Sequence, residues 1–106
     1  MSIYFGDWAC EEDMVRDFRI NRSELEDLSV LYAWYEYADY SGSAFVLLVN
    51  VKTKELFEVN GSHCSCYGLE GQWDLEATFP SAILARNFYG CDKYRVEELR
   101  EILRNL

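Results

Sequence analysis

The sequence predicts a single α+β domain over residues 1–106, in which a three-stranded antiparallel meander packs with one N-terminal helix and two C-terminal helices. The middle of the chain holds three runs rich in β-branched and aromatic residues, separated by short polar turns, as is typical of adjacent antiparallel strands. The last segment instead repeats its apolar residues at helical spacing. With 106 residues, half of them hydrophobic, we expect one core rather than two.

The N-terminal helix is predicted over residues 8–20. Asp7 is the expected N-cap, and the acidic residues that follow it would interact favourably with the positive end of the helix dipole. The apolar residues of this segment recur at spacings that place them on one buried stripe. They are Trp8, Met14, Val15 and Phe18. The polar connector NRSELEDL then leads to the sheet, with a helical turn starting near Ser23.

The three strands are predicted at residues 29–37, 44–51 and 56–59. The segment ADYSGS has the small and polar residues of a turn and would join the first two strands, and KTKE would join the second to the third. Both alternation phases of the first two strands are largely apolar. We therefore expect a sheet that is covered on both faces, or one that keeps an aromatic face for a partner.

The two C-terminal helices follow the sheet. The first is predicted over residues 80–88, with Pro80 early in the helix and Gly90 just past its end. The second is predicted over residues 92–106, with Asp92 as its cap. Apolar residues at i, i+3, i+4 and i+7 give this last helix the clearest periodicity in the chain. They are Leu99, Ile102, Leu103 and Leu106.

The charge balance restricts the classes of function. Nineteen acidic residues against ten basic ones give a net charge of −9, and most of the excess lies in residues 1–40. Binding to a phosphate backbone requires basic groups, so we expect no direct nucleic-acid binding, whereas a protein with a basic nucleic-acid-binding surface would be attracted. The sequence shows neither an apolar segment long enough to cross a bilayer nor a secretion signal, which predicts a cytoplasmic protein without membrane contact.

The stretch VNGSHCSCYGLEGQW, residues 59–73, admits several interpretations. His63, Cys64 and Cys66 are three candidate zinc ligands, although the spacing differs from the usual pair of cysteines two to four residues apart. A cysteine of this group could instead act as a nucleophile with His63, if the two side chains faced each other. In the structural interpretation the glycines form turns, the cysteines are small buried side chains and Trp73 anchors the core.

A recognition edge is a further interpretation, because polar and tyrosine residues grouped on a loop after a strand are typical of binding surfaces. The candidates of this kind are Tyr40, Tyr67 and Gln72. A second set of candidate partner-binding residues is acidic, and it either keeps the protein soluble or imitates the charge of DNA or RNA. Its members are Glu11, Glu12, Asp13, Asp17, Glu24, Glu26 and Asp27.

The segments YADYSGSAFVLL and LFEVNGSHCSCYGLEGQW carry a family resemblance. Together they resemble a group of small, mostly uncharacterised proteins of bacteriophages and bacterial genomes that share an N-G-S-H-C-S-C-Y-G-L-E-x-Q-W block. The similarity covers residues 13–86. In that group a Pro-Glu-Glu run usually follows the tryptophan, whereas this chain has DLEATFP. The resemblance implies a phage context, but it supplies neither an activity nor an assignment of catalytic residues.

The leading hypothesis is therefore a small phage-type protein that binds a host protein and catalyses no reaction, as an anti-restriction or anti-CRISPR factor acting by nucleic-acid mimicry would. The first alternative is a regulatory module stabilised by zinc or iron on His63, Cys64 and Cys66. The second is a thiol-dependent enzyme that uses Cys64 or Cys66 with His63. The leading hypothesis requires no cofactor, and a homodimer that buries part of the sheet is compatible with all three.

Overall fold

The computed structural model describes residues 3–38, 41–64, 68–84 and 93–104. Along the chain, its elements are β1 (Tyr4–Gly6), α1 (Glu11–Phe18), a 3-10 turn (Arg22–Leu25), β2 (Leu28–Ala38), β3 (Ser41–Asn50), β4 (Leu56–Cys64), β5 (Glu76–Thr78), α2 (Pro80–Leu84) and α3 (Lys93–Arg104). Within these ranges no helix is long and apolar enough to cross a membrane. The predicted helix end at Gly90 and the predicted cap at Asp92 lie outside the described residues.

The sheet corrects the predicted architecture. It has five strands in the order β1-β2-β3-β4-β5, and β1 pairs parallel with β2 while the other neighbours are antiparallel. The expected three-stranded antiparallel meander with one N-terminal and two C-terminal helices is therefore wrong, because the sheet is five-stranded and mixed and carries three small helices in the described ranges. Both added strands have three residues, too few to show a period-two pattern.

The segment between β1 and β2 crosses one face of the sheet, since two parallel neighbours need such a connection. It contains α1, which starts at Glu11 with Cys10 as its N-cap residue, and this residue makes no side-chain capping hydrogen bond. The predicted cap at Asp7 is wrong: its carboxylate Oδ2 accepts the backbone N–H of Tyr37 on β2 at 3.0 Å. The helix ends at Arg19, which takes the left-handed conformation with φ 55°.

Strand β4 is longer than predicted and contains the first part of the unusual stretch. Residues 60–64, expected in a loop, continue the strand and pair with β3, placing Gly42 opposite His63 and Ala44 opposite Gly61. The Asn-Gly pair at 60–61 is a turn signal in isolation, but here the glycine lies in a strand interior where another segment approaches closely. The first part of the stretch is thus anchored by its pairing with β3.

Both faces of the sheet carry a hydrophobic cluster, which accounts for the apolar residues in both phases of β2 and β3. The α1 face is covered by α1, the 3-10 turn and the segment 69–73. Its buried residues are Trp8, Met14, Phe18, Leu25, Ala33, Tyr35, Ala44, Val46, Leu48, Val59 and Leu69. The α3 face is covered by α2 and α3. Its buried residues are Tyr32, Trp34, Phe45, Leu47, Leu56, Ile83, Leu99 and Leu103.

Candidate functional site

His63 lies near the end of β4 and points into the α1 face, with 9% of its surface exposed. Its imidazole lies directly over Gly42 of β3, the residue opposite it in the strand register. A Cβ at position 42 would come within 2.7 Å of His63 Cε1 and 3.0 Å of Cδ2, and closer still to Nε2. The glycine therefore provides the space that the ring occupies.

Both ring nitrogens of His63 are hydrogen bonded. Nε2 lies 2.5 Å from the hydroxyl of Tyr35, and Nδ1 lies 2.8 Å from the backbone carbonyl of Cys64. Because a carbonyl only accepts, Nδ1 carries the proton, and in the neutral ring Nε2 accepts the O–H of Tyr35. Burial, together with the negative charges of Asp17 and Asp7, raises the pKa of the Tyr35 hydroxyl, so Tyr35 stays a donor at neutral pH.

Aromatic contacts connect His63 to the surface and to α1. The ring of Tyr37 packs on the imidazole with centroids 5.2 Å apart, and Tyr35 packs at 5.7 Å. Trp8 in turn contacts Tyr35 at 5.4 Å, and its indole N–H donates to Asp17 of α1 at 2.8 Å. One row of side chains therefore links β4, β2 and α1.

The segment after β4 folds back over the same face. Leu69 is buried against Gly61, where a Cβ would meet Leu69 Cδ2 at 2.8 Å. Gln72 closes this segment, because its Oε1 accepts the backbone N–H of Ser62 at 2.8 Å and its Nε2 donates to the Gly68 carbonyl at 3.1 Å. The side chain of Gln72, a predicted partner-binding residue, is thus engaged within the chain, along the edge of β4.

Trp73 packs on Phe18 of α1 with ring centroids 5.1 Å apart, in agreement with a core role. The two segments that carry the family resemblance therefore meet in the structure: Gly42 comes from the first and His63 from the second. The two glycines of these segments are explained by packing. A side chain at Gly42 would overlap the His63 ring, and one at Gly61 would overlap Leu69, so only glycine fits either position.

The predicted ligands His63 and Cys64 do not converge. They are neighbours on an extended strand, so their side chains point to opposite faces of the sheet. Cys64 is exposed, which corrects the expectation of buried cysteines, and Cys66 lies outside the described residues. Within the described ranges no group of three or more His, Cys, Asp or Glu side chains could hold a metal ion. A metal or a thiolate acting with His63 would have to displace one of its two hydrogen bonds.

Seven acidic residues lie along the segment that connects β1 to β2. We call the seven predicted carboxylates on α1, on the 3-10 turn and just after it the acidic layer; they are Glu11, Glu12, Asp13, Asp17, Glu24, Glu26 and Asp27. Two arginines each contact two of them. Arg22 pairs with Glu11 at 3.3 Å and also with Glu12, and Arg16 lies 3.4 Å from Asp13 and 3.6 Å from Asp17.

The rest of the acidic layer is less paired. Asp27 lies 3.3 Å from Lys52 of the β3–β4 turn. Glu24 and Glu26 are exposed and form no ion pair with the described residues. Both groups of predicted partner-binding residues thus have members on the α1 side of the sheet, while Tyr40 and Tyr67 lie outside the described residues.

A groove of about 420 Å³ opens at the opposite end of the sheet from His63. Val49, Leu56 and Pro80 line it together with the cationic side chain of Lys54. Its lining is apolar apart from that lysine, so the described residues place no cluster of acid, base and nucleophile there. Other polar groups of the described chain lie at the His63 end, in the acidic layer and at Glu58 of β4, a buried carboxylate that accepts the side-chain N–H of Asn60 at 2.7 Å.

Sequence reasoning did not place Tyr35, Tyr37 and Gly42 beside His63. Their roles follow from the alignment of β2, β3 and β4, which places them beside one histidine. The signal that the sequence offered was the sole histidine of the chain, which follows a strand-forming segment. Comparisons with protein-family models, with curated proteins and with solved structures gave no significant match to this chain.

Proposed function

We propose that this protein acts by binding a partner protein through the acidic layer, and that the partner surface is a basic groove that otherwise binds nucleic acid. The observation that carries the proposal is the concentration of seven carboxylates within residues 11–27, on α1, on the 3-10 turn and just after it, in a chain with net charge −9. A basic groove attracts such a surface at long range and orients it during encounter. On this proposal the protein works in the cytoplasm of the host cell.

The internal ion pairs leave the layer available for this role. Each of Arg16 and Arg22 contacts two carboxylates, so each group of three keeps a net negative charge. Both arginine side chains are at least 60% exposed, and exposed pairs of this kind contribute only about 0–1 kcal/mol each. Lysines and arginines of a partner can take the place of Arg16 and Arg22 at little cost, because the carboxylates already lie close together.

We infer the class of partner from the resemblance to small phage proteins. A small phage protein without chemistry of its own benefits its genome when it blocks host proteins that act on phage DNA, and those proteins need basic grooves. We therefore place the protein among inhibitors of host defence, of the anti-restriction or anti-CRISPR type. Binding by such an inhibitor would compete with nucleic acid and would weaken at high ionic strength.

The test is a plaque assay with host strains that each carry one restriction or CRISPR system and are infected with a phage that this system targets. We expect expression of the protein to restore plaque formation against at least one system. The variant Glu24→Lys/Glu26→Lys should lose most of this effect, because it reverses two carboxylates that have no ion pair within the described residues.

The matched control is Glu76→Lys/Glu101→Lys, on the edge strand β5 and on α3, away from the acidic layer. Four units of charge change in either double variant, so the net charge of −9 becomes −5 in both. A general effect of charge would reduce the activity of the two variants equally and would contradict binding through the acidic layer. If the protein protects the phage in none of the strains, the proposal that it inhibits host defence is contradicted.

A further inference from the structure

Tyr37 is an exposed aromatic side chain whose ring packs on the buried side chain of His63. It lies near the end of β2, and 45% of its surface is exposed. One side of its ring packs on the His63 imidazole, with centroids 5.2 Å apart and an interplanar angle of 32°. His63 is itself hydrogen bonded at both nitrogens, so the ring of Tyr37 rests on a side chain with little freedom.

Asp7 places a carboxylate beside this residue. Its Oδ2 accepts the Tyr37 backbone N–H at 3.0 Å, and its own N–H donates to the Tyr35 carbonyl at 2.8 Å. Asp7 is exposed, and no ion pair to it exists among the described residues. The second oxygen of this carboxylate, Oδ1, therefore has no partner among the described residues, and the carboxylate itself is held at the backbone of Tyr37.

We propose that Tyr37 and Asp7 form a recognition site for an arginine side chain of the partner. The guanidinium group would stack on the exposed part of the Tyr37 ring and pair with the Asp7 carboxylate. This inference rests on the proposed function, since it names the group on the basic partner that the molecule recognises, and it adds a contact that charge alone does not supply.

Arginine fits this arrangement better than lysine. A guanidinium is planar, so it stacks on an aromatic ring while its edge N–H groups still donate to a carboxylate. An ammonium group is compact and strongly hydrated, and it satisfies one of these two contacts at a time. The site would therefore bind arginine more tightly than lysine. The acidic layer would not discriminate in this way, because it attracts any cation.

The test compares two peptides of equal length and charge, one rich in arginine and one in which every arginine is replaced by lysine, by calorimetric titration of the whole protein. We expect the arginine peptide to bind about two- to fivefold more tightly, the range set by one exposed cation–π contact. Tyr37→Leu and Asp7→Asn should each remove most of this preference. Tyr37→Phe should keep it, because the aromatic ring remains.

Glu24→Gln is the matched control, since it removes one carboxylate of the acidic layer. It should weaken binding of both peptides to the same extent and leave their ratio unchanged. Asp7→Asn keeps an oxygen that can accept the Tyr37 N–H, so the fold is expected to persist, and circular dichroism checks this.

Equal binding of the two peptides by the unmodified protein would overturn the inference, and so would a preference that survives Tyr37→Leu or Asp7→Asn. The plaque assay separates this result from the proposed function. An arginine preference without protection of any phage would support the arginine site and contradict the proposed inhibition of host defence. Protection of a phage without an arginine preference would support the proposed inhibition and contradict the arginine site.

Discussion

Gly42→Ala is the sharpest test of the site geometry. The added methyl group would lie 2.7 Å from Cε1 of His63, and real Cβ atoms essentially never come below 3.0 Å. The imidazole must therefore move, and it is buried and bonded at both nitrogens. Overpacking costs about 1–3 kcal/mol, and leaving the Tyr35 hydroxyl unpaired costs about 1–3 kcal/mol more, so we expect a total loss of about 2–6 kcal/mol.

Urea denaturation followed by tryptophan fluorescence measures this loss. With a slope of about 2 kcal/mol per molar urea, the midpoint should fall by about 1–3 M. The essential comparison is a double-mutant cycle with His63→Ala, since in that background the methyl group at position 42 meets no ring and should cost much less. A coupling free energy of about 1–3 kcal/mol is expected between the two positions.

Gly68→Ala serves as the control for glycine replacement as such. No heavy atom lies within 4 Å of a Cβ at position 68, so this change should leave stability nearly unaltered. The reasoning is refuted if Gly42→Ala is as stable as the unmodified protein, or if it costs the same amount with and without His63. Either result would mean that the imidazole does not lie over the glycine in solution.

Two further predictions concern the edge of β4 and the buried tyrosines. Gln72→Ala should speed hydrogen exchange at the Ser62 amide, because it removes the acceptor of that N–H, and should destabilise the fold by about 1–2 kcal/mol; unchanged exchange would contradict the bond. Burial and the neighbouring Glu11 raise the pKa of Tyr4 to about 12, so its contribution to stability should be complete below pH 10.0 and lost as the pH rises through 12. Tyr4→Phe should remove this alkaline loss, which denaturation at increasing pH measures, and an unchanged profile would exclude Tyr4 as its source.

The parts of the fold with strong local patterns could be predicted from the sequence. The runs of aromatic and β-branched residues mark the three central strands, and the periodicity of Leu99 and Leu103 marks α3. Strands β1 and β5 gave no such signal, because three residues contain too little alternation and both strands are defined by their pairing with distant partners. The mixed character of the sheet depends on β1 alone. The predicted antiparallel sheet was therefore wrong because β1 was not recognised as a strand.

The candidate site shows the same limit. The acidic layer could be predicted, since charge needs no tertiary information, but its pairing with Arg22 across about ten residues could not. The contact between Gly42 and His63 requires the register of β3 on β4, which a single sequence does not contain. Cys64 was expected to be buried, yet it lies at the end of β4 where its side chain is exposed, so the tendency of free cysteine to be buried failed at a strand end.

The parallel pairing of β1 with β2 has a consequence for how the chain assembles. The meander from β2 to β4 can form through short-range hairpin contacts, whereas β1 joins only after the loop carrying α1 has closed over the sheet. Subglobal opening is therefore expected to begin at the N-terminal crossover rather than in the meander. A partner that binds the acidic layer would hold this crossover shut, so its binding energy would stabilise the region of the chain that opens most readily.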